Sequence, residues 1–106
     1  MVTRGGIYWI NLDKRRPCVV VSAPEVLAVA IWQTHVVPLT SNLDRAALAG
    51  NLLLEAAVTG LSRDSVAVPV GLELVDRAWL GDRVGQLPGP LIHALDEGIR
   101  AVLGLR

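Results

Sequence analysis

Residues Arg16-Pro17-Cys18-Val19-Val20-Val21-Ser22 carry a basic corner through a proline straight into a β-branched run, and no other stretch limits the fold as much. Proline has no amide donor, so Pro17 belongs at the first position of that strand or on a sheet edge. The residue before a proline is pushed into extended geometry, which holds Arg16 at the strand's mouth. A guanidinium held there can meet a phosphate with paired donors. The plainer alternative for Lys14-Arg15-Arg16 is a solvated basic turn. A second stretch, His35-Val36-Val37-Pro38-Leu39-Thr40-Ser41-Asn42, is another apolar strand, ending in hydroxyls and an amide. It favours the phosphate reading.

The other segments extend a β pattern. Gly6–Leu12 reads as a strand rich in aromatic and β-branched residues, joined through Asp13-Lys14-Arg15 to the Arg16–Ser22 strand as a hairpin. Within it, Tyr8 and Trp9 read as packing residues rather than stacking platforms. Pro24–Ile31 fits a short helix starting at the proline or a loop. Thr34–Thr40 is a strand with Pro38 marking an edge or bulge. A polar-to-small connection covers residues 41–50. Asn51–Glu55, Asp64–Val68, Leu72–Val75 and Arg83–Leu87 are further short strands, with Asp76 placed to cap a turn holding Trp79 and Leu80. From Pro90 to Leu103, Ile92, Leu95, Ile99 and Val102 recur at helical spacing, and Gly104 ends the helix. His93, Asp96, Glu97 and Arg100 take its polar face. Gly98 inside it costs about 1 kcal/mol against alanine, which points to a close backbone approach there. Short strands with one terminal helix make a small, strongly bent antiparallel sheet or partial barrel, packed across by the helix. One domain over residues 1–106 is expected.

Several classes of chemistry are excluded. The chain is 52% hydrophobic and 19% charged, and its apolar runs break well before a membrane span. No signal peptide is visible at the start, and a single cysteine, Cys18, fits a reducing compartment and a buried strand. Net charge is zero, so a broad basic coat for nucleic acid is absent while a local basic site is not. One Cys and two His give no metal-ligand cluster. His35 beside the hydroxyls is either a proton carrier or a hydrogen-bonded strand histidine. Phosphate-binding loops, dinucleotide fingerprints and nucleophile elbows are missing.

Taken together, Gly5-Gly6-Ile7-Tyr8-Trp9-Ile10-Asn11-Leu12-Asp13, Arg16–Ser22 and Val37-Pro38-Leu39-Thr40-Ser41-Asn42 resemble the MazF/PemK family of toxin endoribonucleases. Gly60-Leu61-Ser62-Arg63-Asp64-Ser65-Val66 and residues 95–105 also fit its pattern, so the similarity spans nearly the whole chain. Each motif is weak alone, and their order makes them specific. The resemblance implies a mainly β fold with a C-terminal helix, an SH3-like small β-barrel, and a homodimer. It also implies a cytoplasmic type II toxin that cuts single-stranded RNA sequence-specifically, without metal or cofactor, under inhibition by a cognate MazE-like antitoxin. An acidic, apolar-studded antitoxin tail would then dock along the RNA groove against Lys14, Arg15 and Arg16.

On the same resemblance, Arg16 matches the family's catalytic arginine before proline and Thr40 its catalytic threonine. Lys14, Arg15, Ser41 and Asn42 form the surrounding substrate-binding set. RNA brings its own nucleophile, the 2′-hydroxyl, so the protein must orient the attack and stabilise charge on the phosphoryl oxygens. A guanidinium stays protonated in proteins, so it suits charge stabilisation, is able to donate a proton to the leaving oxygen, and is a poor base. Two departures stand out. The family usually carries a longer loop with a Gly-Ser-Glu-like element where this chain has Asp13-Lys14-Arg15, and often a Gln and an Arg where it has Gly71 and Glu73. These keep open a non-catalytic member that binds only antitoxin or RNA. A gyrase-poisoning toxin of the related CcdB branch is a further alternative, but that branch ends in a Trp-bearing tail and this chain in Leu103-Gly104-Leu105-Arg106.

Overall fold

The computed structural model describes residues 1–12 and 14–105. Asp13, assigned above to the hairpin connection, lies outside them. The described residues form seven strands: β1 Gly6–Asn11, β2 Arg15–Val20, β3 Gln33–Thr40, β4 Leu52–Leu54, β5 Ser65–Ala67, β6 Glu73–Asp76 and β7 Leu80–Gln86. Three α-helices join them: α1 Pro24–Val29, α2 Ala56–Thr59 and α3 Gly89–Leu103. The strands form one antiparallel sheet in the order β4-β5-β3-β2-β1-β7, with β6 pairing β3 off that path. This is the expected mainly β architecture with a C-terminal helix.

Alternation along the strands sends side chains to two cores. Ile7, Val19, Val37, Leu39, Leu54 and Ala67 pack with Leu87 and with Leu95 of α3 on one face. Tyr8, Ile10, Cys18, Val20, Val36 and Val75 pack with Leu27 of α1 on the other. The ambiguous segment after Ser22 is therefore a helix: Pro24 supplies the preset first turn and Leu27 the buried anchor. Helix α3 begins one residue before Pro90 and ends at Gly104, whose φ of 69° satisfies the left-handed cap. The polar tie Arg4–Asp96 links α3 to the segment before β1. A side-chain carbon at Gly98 would fall within 3.0 Å of the Gly50 carbonyl oxygen, so this helical glycine is the point of close backbone approach that its sequence position implied.

Strand β3 is the hub, and it corrects the reading of Pro38. Rather than lying on an edge, β3 is paired on both sides: β2 along one flank, then β6 over Gln33–Val36 and β5 over Leu39–Thr40 along the other. Pro38 falls in the gap between β6 and β5, where its carbonyl accepts from the Val68 amide at 3.0 Å. A strand residue's nitrogen points the same way as its carbonyl, so the missing donor faces that gap and no ladder bond is lost. Asp76 also departs from expectation. It precedes the 3₁₀ turn Arg77–Trp79 but makes no side-chain capping bond. Arg77 does the local work instead, donating to the Gln33 carbonyl at 3.1 Å and the Leu27 carbonyl at 2.6 Å. Helix α2 and the 3₁₀ turn Leu43–Ala47 were not visible in the periodicity; each is too short to show a face.

Candidate active site

Strands β1 and β2 form the hairpin that presents Arg15 and Arg16. The register sets Trp9 opposite Pro17, Ile10 opposite Arg16 and Asn11 opposite Arg15. Strand β2 is paired with β3 only from Cys18 onward, in the register Cys18 opposite Pro38. Carried two residues further, that register sets Arg16 across from Thr40. Both residues border one cavity of about 510 Å³ at this open end of the sheet.

Three segments that are distant in sequence build the cavity. The hairpin contributes Trp9, Arg15, Arg16 and Pro17; the end of β3 contributes Leu39, Thr40 and Ser41; the turn into β5 contributes Leu61, Ser62, Arg63 and Ser65. Two contacts hold that third segment in place. The Asp64 carboxylate accepts the Ala56 amide at 2.8 Å. Gly60, at φ 82°, closes α2 directly against β7: a side-chain carbon there would fall within 3.0 Å of the Val84 carbonyl oxygen. Only glycine meets both demands.

The lining carries three arginines and no carboxylate. In a chain of zero net charge this concentrates positive potential at one concave place. Arg16 and Arg63 make no hydrogen bond or ion pair among the described residues, so both guanidinium forks are available to a ligand. Arg15 lies over the Trp9 ring, its guanidinium carbon 4.3 Å from the centroid. The Thr40 hydroxyl oxygen accepts the Asn42 amide at 3.2 Å. That bond uses a lone pair and leaves the O–H free to donate into the cavity.

The residues expected from sequence are only partly gathered here. Arg15, Arg16, Thr40 and Ser41 line the cavity; Lys14 and Asn42 do not. Lys14 is exposed in the hairpin connection, its carbonyl accepting from the Leu12 amide at 3.3 Å. The Asn42 side chain accepts from the Asp44 amide at 3.2 Å, capping the turn that follows. His35 sits away from the hydroxyl cluster: its Nδ1 is 2.8 Å from the Ser22 Oγ, and it borders a separate cavity with Arg4 and Asp96. It is the hydrogen-bonded strand histidine. Glu73 borders yet another cavity, of about 270 Å³, which it shares with Arg16, Pro17 and Cys18. The Cys18 thiol is 1% exposed, and burial, with the Glu73 charge adding to it, pushes its pKa up to about 12. It stays protonated and unreactive at neutral pH.

The two aromatic residues read together as packing residues have different surroundings. Tyr8 is buried and donates to the Met1 carbonyl at 3.2 Å, whereas Trp9 is half-buried at the cavity with Arg15 over its ring. The cavity also takes in Leu61, Ser62 and Arg63, which the sequence reading does not nominate. Their only sequence signal was a basic and hydroxyl-bearing turn inside the Gly60–Val66 motif.

Known proteins are similar to this chain over nearly its whole length. Residues 3–103 match the family described as PemK-like, MazF-like toxin of type II toxin-antitoxin system. The chain is 35% identical over 113 aligned residues to Endoribonuclease MazF2 of Mycobacterium bovis, covering 99% of both chains. It matches Endoribonuclease MazF6 of Mycobacterium tuberculosis to the same extent. Among solved structures, the Mycobacterium tuberculosis toxin MazF-mt6 superposes with a TM-score of 0.84 at 27% identity, over 95% of this chain and 98% of that one. An endoribonuclease in complex with its cognate antitoxin, from a mycobacterial species, shares the fold at a TM-score of 0.84 and 19% identity, over 97% and 95% of the two chains.

Proposed function

The chain belongs to the PemK-like, MazF-like toxins of type II toxin-antitoxin systems, and on that premise we propose that it cuts single-stranded RNA in the cavity between Arg16 and Thr40. It is an endoribonuclease toxin whose protein partner is a cognate antitoxin. The observation that carries the site assignment is the lining: three arginines, no carboxylate, and a threonine O–H free to donate. A phosphodiester is what such a lining accommodates.

The reaction begins when the RNA 2′-oxygen attacks the adjacent phosphorus. The O2′–P bond forms as the P–O5′ bond breaks, and the 2′-proton leaves to solvent while the 5′-oxygen takes one up. Arg16 faces the negative charge that builds on the non-bridging oxygens, and its fork can also supply the proton to the leaving oxygen. The Thr40 O–H donates to a phosphate oxygen and fixes its orientation, with Ser41 beside it. Arg15 and Arg63 hold the flanking phosphates. The products carry a 2′,3′-cyclic phosphate and a 5′-hydroxyl. The nucleophile belongs to the substrate, so the scheme calls for no metal-bound water. Purified protein incubated with a long single-stranded RNA in EDTA is expected to give discrete cuts with 5′-hydroxyl ends. An RNA left intact in EDTA, or ends bearing a 5′-phosphate, would refute the scheme.

The same reading makes the protein a homodimer acting in the cytoplasm, where messenger RNA is its substrate. No described helix is long and apolar enough to cross a membrane. Dimerisation is supported by apolar surface the single chain leaves uncovered. Trp32 is 78% exposed and Ile31, Leu74 and Trp79 are also exposed. Ile31 and Trp32 precede β3, Leu74 is in β6 and Trp79 follows it, and the Arg77 amide ties the two segments by donating to the Trp32 carbonyl at 2.9 Å. Large apolar side chains left open at this end of the sheet are the kind of surface that a second copy of the chain covers. Light scattering at micromolar concentration should give twice the 11.3 kDa chain mass; a mass of one chain would reject the dimer.

A further inference from the structure

The cavity holds more than a phosphate needs. Trp9, Pro17, Leu39 and Leu61 add apolar residues to the lining, which contribute nothing to anion binding. A nucleotide has an apolar flat part and a charged part, and this lining has a place for each. Trp9 is the only aromatic residue there, and it is half-buried rather than closed into either core. The strand pairing gives Trp9 its neighbours: Pro17 lies directly opposite, and Arg15 is one diagonal step further on the same face of the hairpin. The Arg15 guanidinium occupies the space over the indole, 4.3 Å from its centroid. A guanidinium is a planar group, and here it covers a ring face that a flat base can take in its place.

We propose that Trp9 is the stacking platform for one unpaired base next to the scissile phosphate, and that Arg15 is the stand-in which covers that face until RNA arrives. The inference rests on the endoribonuclease reading of the same cavity. As the base enters, Arg15 leaves the indole and takes a phosphate oxygen. The exchange is favourable on both sides. A cation over an exposed ring is worth only about two- to fivefold in an equilibrium constant. A base stacked on an aromatic ring contributes about 5- to 150-fold, and Arg15 gains a charge-assisted bond as it moves. Stacking tolerates any base, because every base has a π-face. The platform therefore adds affinity and places the nucleotide, while the sequence preference arises elsewhere along the groove.

Binding to a 2′-O-methyl RNA, which carries no free 2′-hydroxyl at the cut, tests this apart from cleavage. The oligonucleotide spans a cut site mapped with the wild-type enzyme, and single abasic positions are walked along it. In the wild type, one abasic position beside the scissile phosphate should weaken binding by about 5- to 150-fold. Trp9→Leu should weaken the intact oligonucleotide similarly, and the two losses should not add, because they remove the same contact. Trp9→Phe keeps a ring and should retain most of the affinity. Affinities of the abasic series that are flat in the wild type, or losses that add fully with Trp9→Leu, would overturn the platform while leaving the nuclease intact. The abasic series uses wild-type protein, so the test survives a Trp9→Leu variant that fails to fold. A wild type that neither binds nor cuts RNA would remove both readings together.

Discussion

Replacing Arg16 with lysine is expected to slow RNA cleavage almost as far as replacing it with alanine, on the order of a hundredfold or more. The lysine keeps the positive charge, so a site that needed only charge would lose little. Arg16 is positioned for more than charge. It is paired with Ile10 in the hairpin, precedes Pro17, and carries a guanidinium with no bond among the described residues. A fork presents two parallel donors to two phosphoryl oxygens, whereas an ammonium presents a point charge on a flexible stem. The strand fixes the start of either side chain, but only the planar one arrives preorganised. Single-turnover rates on a defined RNA, with binding measured in parallel, read this directly. Arg16→Lys cleaving at the wild-type rate would show that the fork is irrelevant, and Arg16→Ala doing so would place the chemistry elsewhere.

Thr40→Val should lower the rate by a comparable factor while leaving the fold in place. Valine matches threonine in shape, and the lost hydroxyl has a single intramolecular partner, the Asn42 amide. That amide is at the exposed start of a turn and can turn to water, so the cost to stability is about 1 kcal/mol or less. The catalytic loss should be larger because the Thr40 O–H is the donor beside Arg16. Thr40→Ser keeps that donor and should recover most of the rate. Equal rates in Thr40→Val and wild type, or a failure of Thr40→Ser to recover activity, would remove the hydroxyl from the mechanism. Thermal unfolding of both variants checks that the fold is retained.

The local elements were legible because each has a local cause. Val19-Val20 and Val36-Val37 favour strands through stiff side chains on a pleated surface. Pro90 and Gly104 bracket a helix whose apolar residues recur at its own period. Gly98 announced a close contact by being a poor helix residue where the pattern required a helix. Even the hairpin that presents Arg15 and Arg16 followed from adjacent residues.

What a single strand pairs with is not a local property. Only the assembled sheet gives β3 three neighbours, and only that arrangement explains Pro38 in an interior strand, since its missing donor faces the gap between two of them. The same holds for the cavity. Sequence could nominate Arg16 and Thr40 one by one, but Arg63 and Trp9 have no feature that separates them from a surface turn and a core aromatic. They come to line the cavity because Gly60 docks the turn on β7 and because the hairpin register sets Trp9 beside Pro17 and Arg15. Strand and helix propensities act over a few residues and are written along the chain. A cavity is the space left between segments about 50 residues apart, and only the packing that brings those segments together defines it.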